Sequence, residues 1–253
     1  MLEARRLTKT YSSVPAVDDV SFTIAPGQIL GYLGPNGSGK STTVKMLTGL
    51  LEPTRGSVFF EGENIQHDLA FYKSRLGYLP EEPNLYSHLT GREYLDLVGS
   101  LRSLPERTVR GKSDALLDLF ALRTHKDAAI GSYSKGMRQK ILIISALLHN
   151  PALLILDEPL SGLDVTSVLV FRKLIQILGS QGKVIFYCSH VLEVVEKICT
   201  HVLILRKGKV VGYGLVSEIR DQARATLEDT FSHLVEEQDA GRLASDIAGV
   251  IAA

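Results

Sequence analysis

Ile29-Leu30-Gly31-Tyr32-Leu33-Gly34-Pro35-Asn36-Gly37-Ser38-Gly39-Lys40-Ser41-Thr42 decides how this chain is read. Residues 29–33 are a short apolar run, as in a buried strand. Glycines then fall at 34, 37 and 39. Beyond them Val44, Leu47 and Leu51 recur at helical spacing. Strand, glycine loop and helix in that order frame residues 34–41, which fit G-x-x-x-x-G-K-[ST]. A chance match is expected on the order of once in a hundred random chains of this length. The glycines let the backbone curl so that its N–H groups point at phosphate oxygens, and the helix that follows adds the positive end of its dipole. Gly34, Pro35, Asn36, Gly37, Ser38 and Gly39 are therefore expected to cradle a nucleotide's phosphates. Lys40 is expected to neutralise the β- and γ-phosphates, Ser41 to ligate Mg²⁺ and Thr42 to donate to the α-phosphate.

Working outward, the partner of this loop is Leu153-Leu154-Ile155-Leu156-Asp157-Glu158-Pro159. A continuous apolar run reads as a strand buried on both faces of a parallel sheet, and it ends in two acids. Ligands of open α/β sheets bind at the carboxyl ends of strands, so this end is expected beside the glycine loop. Asp157 is expected to hold Mg²⁺ through water. Glu158 is expected to orient or deprotonate the attacking water.

The rest of the chain follows the same rhythm. Residues 20–24 alternate as a strand ahead of a Pro26-Gly27 turn, and residues 57–61 and 76–79 read as further strands. From about residue 90 the pattern is helical. Thr90 and Glu93 form a capping box, a second helix spans about 105–122 with Leu116, Leu117 and Phe120 inward, and a third begins at Ser134. The β/α alternation then resumes through strands at 153–156, 184–187 and 202–205, helices at 168–178 and 192–198, and a Lys207-Gly208-Lys209 hairpin turn. The expectation is an α/β fold of the P-loop NTPase type: a mainly parallel sheet, an N-terminal antiparallel β portion and an inserted helical subdomain at about 85–150. Residues 1–214 form the nucleotide-binding domain in this reading. Residues 215–253 form a tail in which Leu227, Phe231, Leu234 and Val235, and then Leu243, Ile247, Val250 and Ile251, mark two amphipathic helices.

Composition bounds the function. With 28 Lys plus Arg against 28 Asp plus Glu the net charge is zero, which argues against a nucleic-acid partner. Two cysteines, Cys188 and Cys199, are too few for a disulfide scaffold and read as buried thiols. No apolar leader is visible, and no apolar run approaches the ~20 residues needed to cross a bilayer, so a membrane role is expected to need a partner subunit. His67, His88 and His125 show no metal spacing and read as surface residues.

At this point the order of motifs resembles the ATP-binding cassette family over residues 1–214. Tyr133-Ser134-Lys135-Gly136-Met137, followed by Arg138-Gln139-Lys140, resembles the family signature, ordinarily Leu-Ser-Gly-Gly-Gln. Ser161-Gly162-Leu163-Asp164 resembles the D-loop. His190 resembles the switch histidine, and Tyr11 the aromatic that stacks on adenine. The resemblance implies that Ser134 and Gly136 face the γ-phosphate held by another copy, so that two ATP molecules are buried in a head-to-tail dimer. It also implies that His190 fixes the attacking water beside Glu158. Two departures stand out. The signature has Lys135 and Met137 for glycine and glutamine, and Glu81 stands where the family has a glutamine that touches Mg²⁺, so Glu81 is expected to keep a metal role.

What the resemblance implies is the ATP-hydrolysing subunit of a transporter whose permease is a separate chain. It points to a homodimer on the cytoplasmic face of a bacterial inner membrane, and to the branch serving drug, antibiotic or polymer exporters. A soluble cassette protein of translation, repair or cluster assembly stays as the alternative. Such proteins usually carry paired cassettes, coiled-coil insertions or basic surfaces, which this sequence lacks. A nonhydrolysing regulator is opposed by Lys40, Asp157, Glu158 and His190.

Overall fold

The computed structural model describes residues 1–82, 84–218, 248 and 250. In chain order the elements are β1 (Leu2–Tyr11), β2 (Val14–Ile24), β3 (Ile29–Leu33), α1 (Lys40–Leu47), β4 (Arg55–Phe60), β5 (Glu63–Asn64), α2 (Leu69–Arg75) and β6 (Leu76–Leu79). A helical block follows, α3 (Gly91–Leu101), α4 (Glu106–Leu119) and α5 (Lys135–Leu147). The chain then returns through β7 (Leu153–Asp157), α6 (Val165–Ser180), β8 (Val184–Cys188), α7 (Leu192–Ile198), β9 (His201–Arg206) and β10 (Lys209–Leu215).

Two sheets form. The larger has the order β10-β9-β3-β8-β7-β6, parallel throughout except for the β9–β10 hairpin. The smaller is antiparallel, β2-β1-β4-β5. The glycine loop leaves β3, the acids leave β7 and His190 follows β8. In the sheet β8 lies between β3 and β7, so all three exits share one edge. β3, β7 and β8 are buried at every position, which is why they read as unbroken apolar runs. Their two faces meet different layers. One packs on the small sheet and α1 through Phe22, Tyr32, Val44, Ile155 and Phe186. The other packs on α5, α6 and α7 through Leu142, Leu154, Phe171, Ile175 and Val195. The helical block has a core of its own, with Leu95, Leu117, Ile141 and Ile144 at its centre.

Local signals behave as their chemistry requires. Thr90 Oγ1 accepts from Glu93 N at 3.1 Å while Glu93 Oε2 accepts from Thr90 N at 2.8 Å, closing the capping box. Asp164 caps α6, accepting from Ser167 N at 2.8 Å. Leu117 is fully buried, with Leu116 and Phe120 packed beside it. Both cysteines are free and buried, on opposite faces of the sheet. His67, His88 and His125 are exposed. Among the described residues no helix is long and apolar enough to cross a membrane.

The structure departs from the sequence reading at the N-terminus. β1 is a ten-residue strand that the pattern hid, because register shifts between Ala4 and Thr10, with Arg6 in left-handed backbone at φ 52, break its alternation. β2 begins at Val14, well before residue 20, for the related reason that Pro15, Asp18 and Asp19 disguise its first half. α2 was also missed; it buries only Tyr72, too little for a periodic signal. The two amphipathic helices expected in the tail lie outside the described residues, Val250 apart.

Candidate functional site

The loop after β3 is shaped by contacts that only glycine permits. At Gly39, φ is +107 and an added Cβ would sit 2.3 Å from the Ala16 carbonyl oxygen, so the loop is pressed onto β2. At Gly34 a Cβ would meet Ser38 Oγ at 2.4 Å and the Leu205 carbonyl oxygen at 2.5 Å. α1 opens at Lys40 without a side-chain cap, so its first N–H groups are available to an anion. Inside the helix, Thr43 Oγ1 lies 3.0 Å from Tyr32 Oη and 3.1 Å from the Gly39 carbonyl, tying α1 to β3. Lys40 Nζ folds back to donate to the carbonyls of Gly34 at 2.6 Å and Pro35 at 3.1 Å.

Across the sheet edge, Asp157 is the last residue of β7 and pairs in register with Cys188 of β8. The residue is 6% exposed. Burial pushes its pKa up to about 6, and the charges of Glu81 and Glu158 push the same way; a hydrogen bond from the Cys188 thiol and the charge of Lys40 oppose them.

Glu158 leaves the strand in left-handed backbone, φ 46, with its N–H donating to the Cys188 carbonyl at 3.0 Å. Its carboxylate is held by the turn after β8. Oε1 accepts from His190 N at 2.8 Å and from His190 Nδ1 at 2.7 Å, and Oε2 accepts from Ser189 Oγ at 3.1 Å. The two oxygens are thus oriented by protein groups alone. The contact with Oε1 places the imidazole proton on Nδ1.

These groups converge on one cavity of about 490 Å³. Gly34, Pro35, Asn36, Gly37, Gly39, Lys40, Ser41 and Thr42 line it together with Ala16, Glu81, Asp157, Glu158 and His190. The size suits a nucleotide-sized ligand. Four of the residues singled out in the sequence lie elsewhere. Ser38 is buried under the loop, its hydroxyl without a partner. Tyr11 is half exposed at the end of β1, with Lys9 Nζ 5.8 Å from its ring, and does not line the cavity. Ser134 and Gly136 sit at the start of α5. Ser134 Oγ accepts from Met137 N at 3.2 Å, and a Cβ on Gly136 would come 2.7 Å from the Gly162 carbonyl oxygen. The signature backbone is therefore packed on the loop that leads into α6, apart from the cavity.

Two residues that sequence reasoning left without a role brace the site from outside the cavity. Ser189 holds Glu158. Gln139, buried, donates from Nε2 to the Pro159 carbonyl at 2.8 Å, joining the signature helix to the turn just past Glu158. Its signs in the sequence were a polar residue at an inward position of α5 and its place in the run that follows the signature motif.

The oxygen donors of Ser41, Asp157 and Glu81 share this cavity with Lys40, and such hard donors fit Mg²⁺. Among the described residues no group of three His, Cys, Asp or Glu side chains forms a metal cage on its own. A Mg²⁺ held here would take its remaining ligands from water and phosphate oxygens.

Comparison with known proteins adds three findings. The family model described as ABC transporter matches residues 17–161. Among curated proteins, the ABC transporter ATP-binding protein NatA of Bacillus subtilis is 36% identical over 223 residues, covering 88% of this chain and 91% of that protein. The bacitracin transport ATP-binding protein BcrA of Bacillus licheniformis is 35% identical over 229 residues, covering 90% of this chain and 74% of that protein. Among solved structures, an ATP-binding subunit of an ABC transporter superposes with a TM-score of 0.87 at 32% identity, covering 92% of this chain and 99% of that one.

Proposed function

This chain belongs to the ABC transporter family, as an ATP-binding and ATP-hydrolysing subunit, and on that premise we propose the following working arrangement. ATP binds with its phosphates on the loop at 34–42, and its adenine reaches beyond the cavity to the exposed ring of Tyr11. Lys40 leaves the carbonyls of Gly34 and Pro35 for the β- and γ-phosphates, which offer it charge as well as hydrogen bonds. Ser41, Asp157 and Glu81 hold Mg²⁺. The metal, when bound, supplies neutralisation of phosphate charge. Glu158 takes the proton of the attacking water, and His190 anchors the carboxylate that does so.

The observation that carries this reading is a separation. Lys40, Asp157, Glu158 and His190 line one cavity, while Ser134 and Gly136 stand outside it on α5. A site made of two separated halves is completed by a second copy turned head to tail, whose α5 N-terminus meets the γ-phosphate. Closure on ATP and release after hydrolysis then move a membrane subunit carried on another chain. The similarity to BcrA supports the exporter branch, and the subunit is expected at the cytoplasmic face of a bacterial inner membrane.

Purification of the tagged chain from native membranes in mild detergent tests the assembly. A polytopic membrane protein in equal amount is the expected companion. Recovery only from the soluble fraction, with ribosomes, nucleic acid or assembly factors, would overturn the transporter role and leave the ATP site standing.

A further inference from the structure

We infer that Ser189 is the positioning residue of the hydrolytic step: it fixes the direction of Glu158 Oε2 and so selects that oxygen as the one that meets the attacking water. The inference rests on the reading of Glu158 as the base.

The hydroxyl is itself held in place. Ser189 is 3% exposed. Its Oγ accepts the Val191 N–H at 3.2 Å, which leaves its own proton for Glu158 Oε2 at 3.1 Å. A hydroxyl buried between one donor and one acceptor has a single satisfied orientation. Its backbone is tied down as well, with Ser189 N donating to the Tyr32 carbonyl at 3.4 Å. Tyr32 stands in β3, which runs straight into the phosphate loop. The serine therefore links the frame that holds the γ-phosphate to the carboxylate that acts beside it.

The two carboxylate oxygens are not equivalent. Each has two lone pairs in the carboxylate plane. Those of Oε1 are both taken, by the main-chain N–H and the ring Nδ1 of His190. Oε2 has one donor among the described residues, Ser189, and keeps one lone pair open. In the step, the water O–H bond breaks, its proton goes to Oε2, and the water oxygen bonds to the γ-phosphorus while the bond from phosphorus to the bridging oxygen of ADP breaks. Without the serine the Oε2 arm loses its restraint, and the carboxylate pivots on Oε1 alone. Loss of alignment of that kind lowers the rate of the chemical step and leaves ground-state binding alone.

The test uses the full chain with MgATP. Ser189→Ala is expected to lower kcat by roughly ten- to a hundredfold with KM for ATP within about twofold of the parent. Ser189→Thr, which keeps the hydroxyl, is expected to restore most of the rate. In a Glu158→Gln background, Ser189→Ala is expected to add nothing. Parent kcat in Ser189→Ala, failure of threonine to rescue, or a further loss in the Glu158→Gln background would each overturn the inference. Should Glu158→Gln itself turn over at the parent rate, the base assignment fails; inactivity of Glu158→Gln beside a fully active Ser189→Ala removes only the role of the serine.

Discussion

The carboxyl of Asp157 is buried beside two other acids, Glu81 and Glu158, and its pKa rises from 3.8 to about 6. A folded-state pKa above the unfolded one means that the fold holds the proton more tightly. The stability it contributes is fully present below about pH 4 and lost as pH rises through about 6. At pH 7 the ionised group costs about 3 kcal/mol. Asp157→Asn is therefore expected to raise the stability of the nucleotide-free protein at pH 7 by up to about 3 kcal/mol while losing the added stability that MgATP confers. Urea unfolding with and without MgATP measures both quantities; an unstabilised nucleotide-free variant would contradict the burial argument. Gly39 gives the opposite case. With φ at +107 and the Ala16 carbonyl 2.3 Å from the position of a Cβ, Gly39→Ala forces the loop off β2. A loss of about 2–3 kcal/mol is expected, together with loss of ATP binding by calorimetry.

At the scale of elements, the caps and joints decide how α5 is held. Its N-terminal end is capped by Ser134, and Ser134→Ala is expected to cost about 1 kcal/mol in unfolding free energy. Past its C-terminal end, His149 joins the helical block to β6. Its Nε2 lies 3.0 Å from the Leu76 carbonyl, which can only accept, so the proton is on Nε2 and Nδ1 is left buried without a partner. Burial and the nearby charges of Arg102, Lys112 and Lys183 lower the His149 pKa from 6.5 to about 4; the hydrogen bond to Leu76 opposes them. As pH falls below 6.5 the unfolded chain takes the proton first, so stability is present above that pH and is lost on the way down to about 4. His149→Gln keeps a donor for Leu76 and is expected to remove roughly 1 kcal/mol of the loss between pH 7 and 5, a figure discounted for the partial exposure of the ring. Parallel denaturation curves for parent and variant at those two pH values check it, and identical acid sensitivity would exclude His149 as a source.

For the whole molecule, the proposed head-to-tail pairing of half-sites implies complementation. Glu158→Gln is expected to bind ATP, to lose at least a hundredfold in turnover and to run as an ATP-dependent dimer in gel filtration; hydrolysis at the parent rate would remove Glu158 from its role. Lys40→Ala and Ser134→Arg, each inactive alone, should recover roughly a quarter of parental activity when mixed in equal amounts, because half of the dimers then carry one intact composite site. No recovery on mixing would exclude a head-to-tail pair.

Much of this protein was determined by its sequence alone. The phosphate loop, the acids ending β7, the cap at Thr90, the start of α5 at Ser134 and the hairpin at Lys207 were legible because each rests on short-range sterics and hydrogen bonding, which a few adjacent residues specify. The unbroken apolar strands were legible because burial on both faces leaves one composition. β1 was not, since its pairing tolerates bulges that erase the period of two. Nor were Ser189 and Gln139 as site residues, because their partners are 31 and 20 positions away and meet them only when β7, β8 and α5 pack together. The raised pKa of Asp157 and the distance of the signature from the cavity also belong to the tertiary structure. Electrostatic environment depends on which distant charges share a buried space, and no local pattern in the chain carries that information.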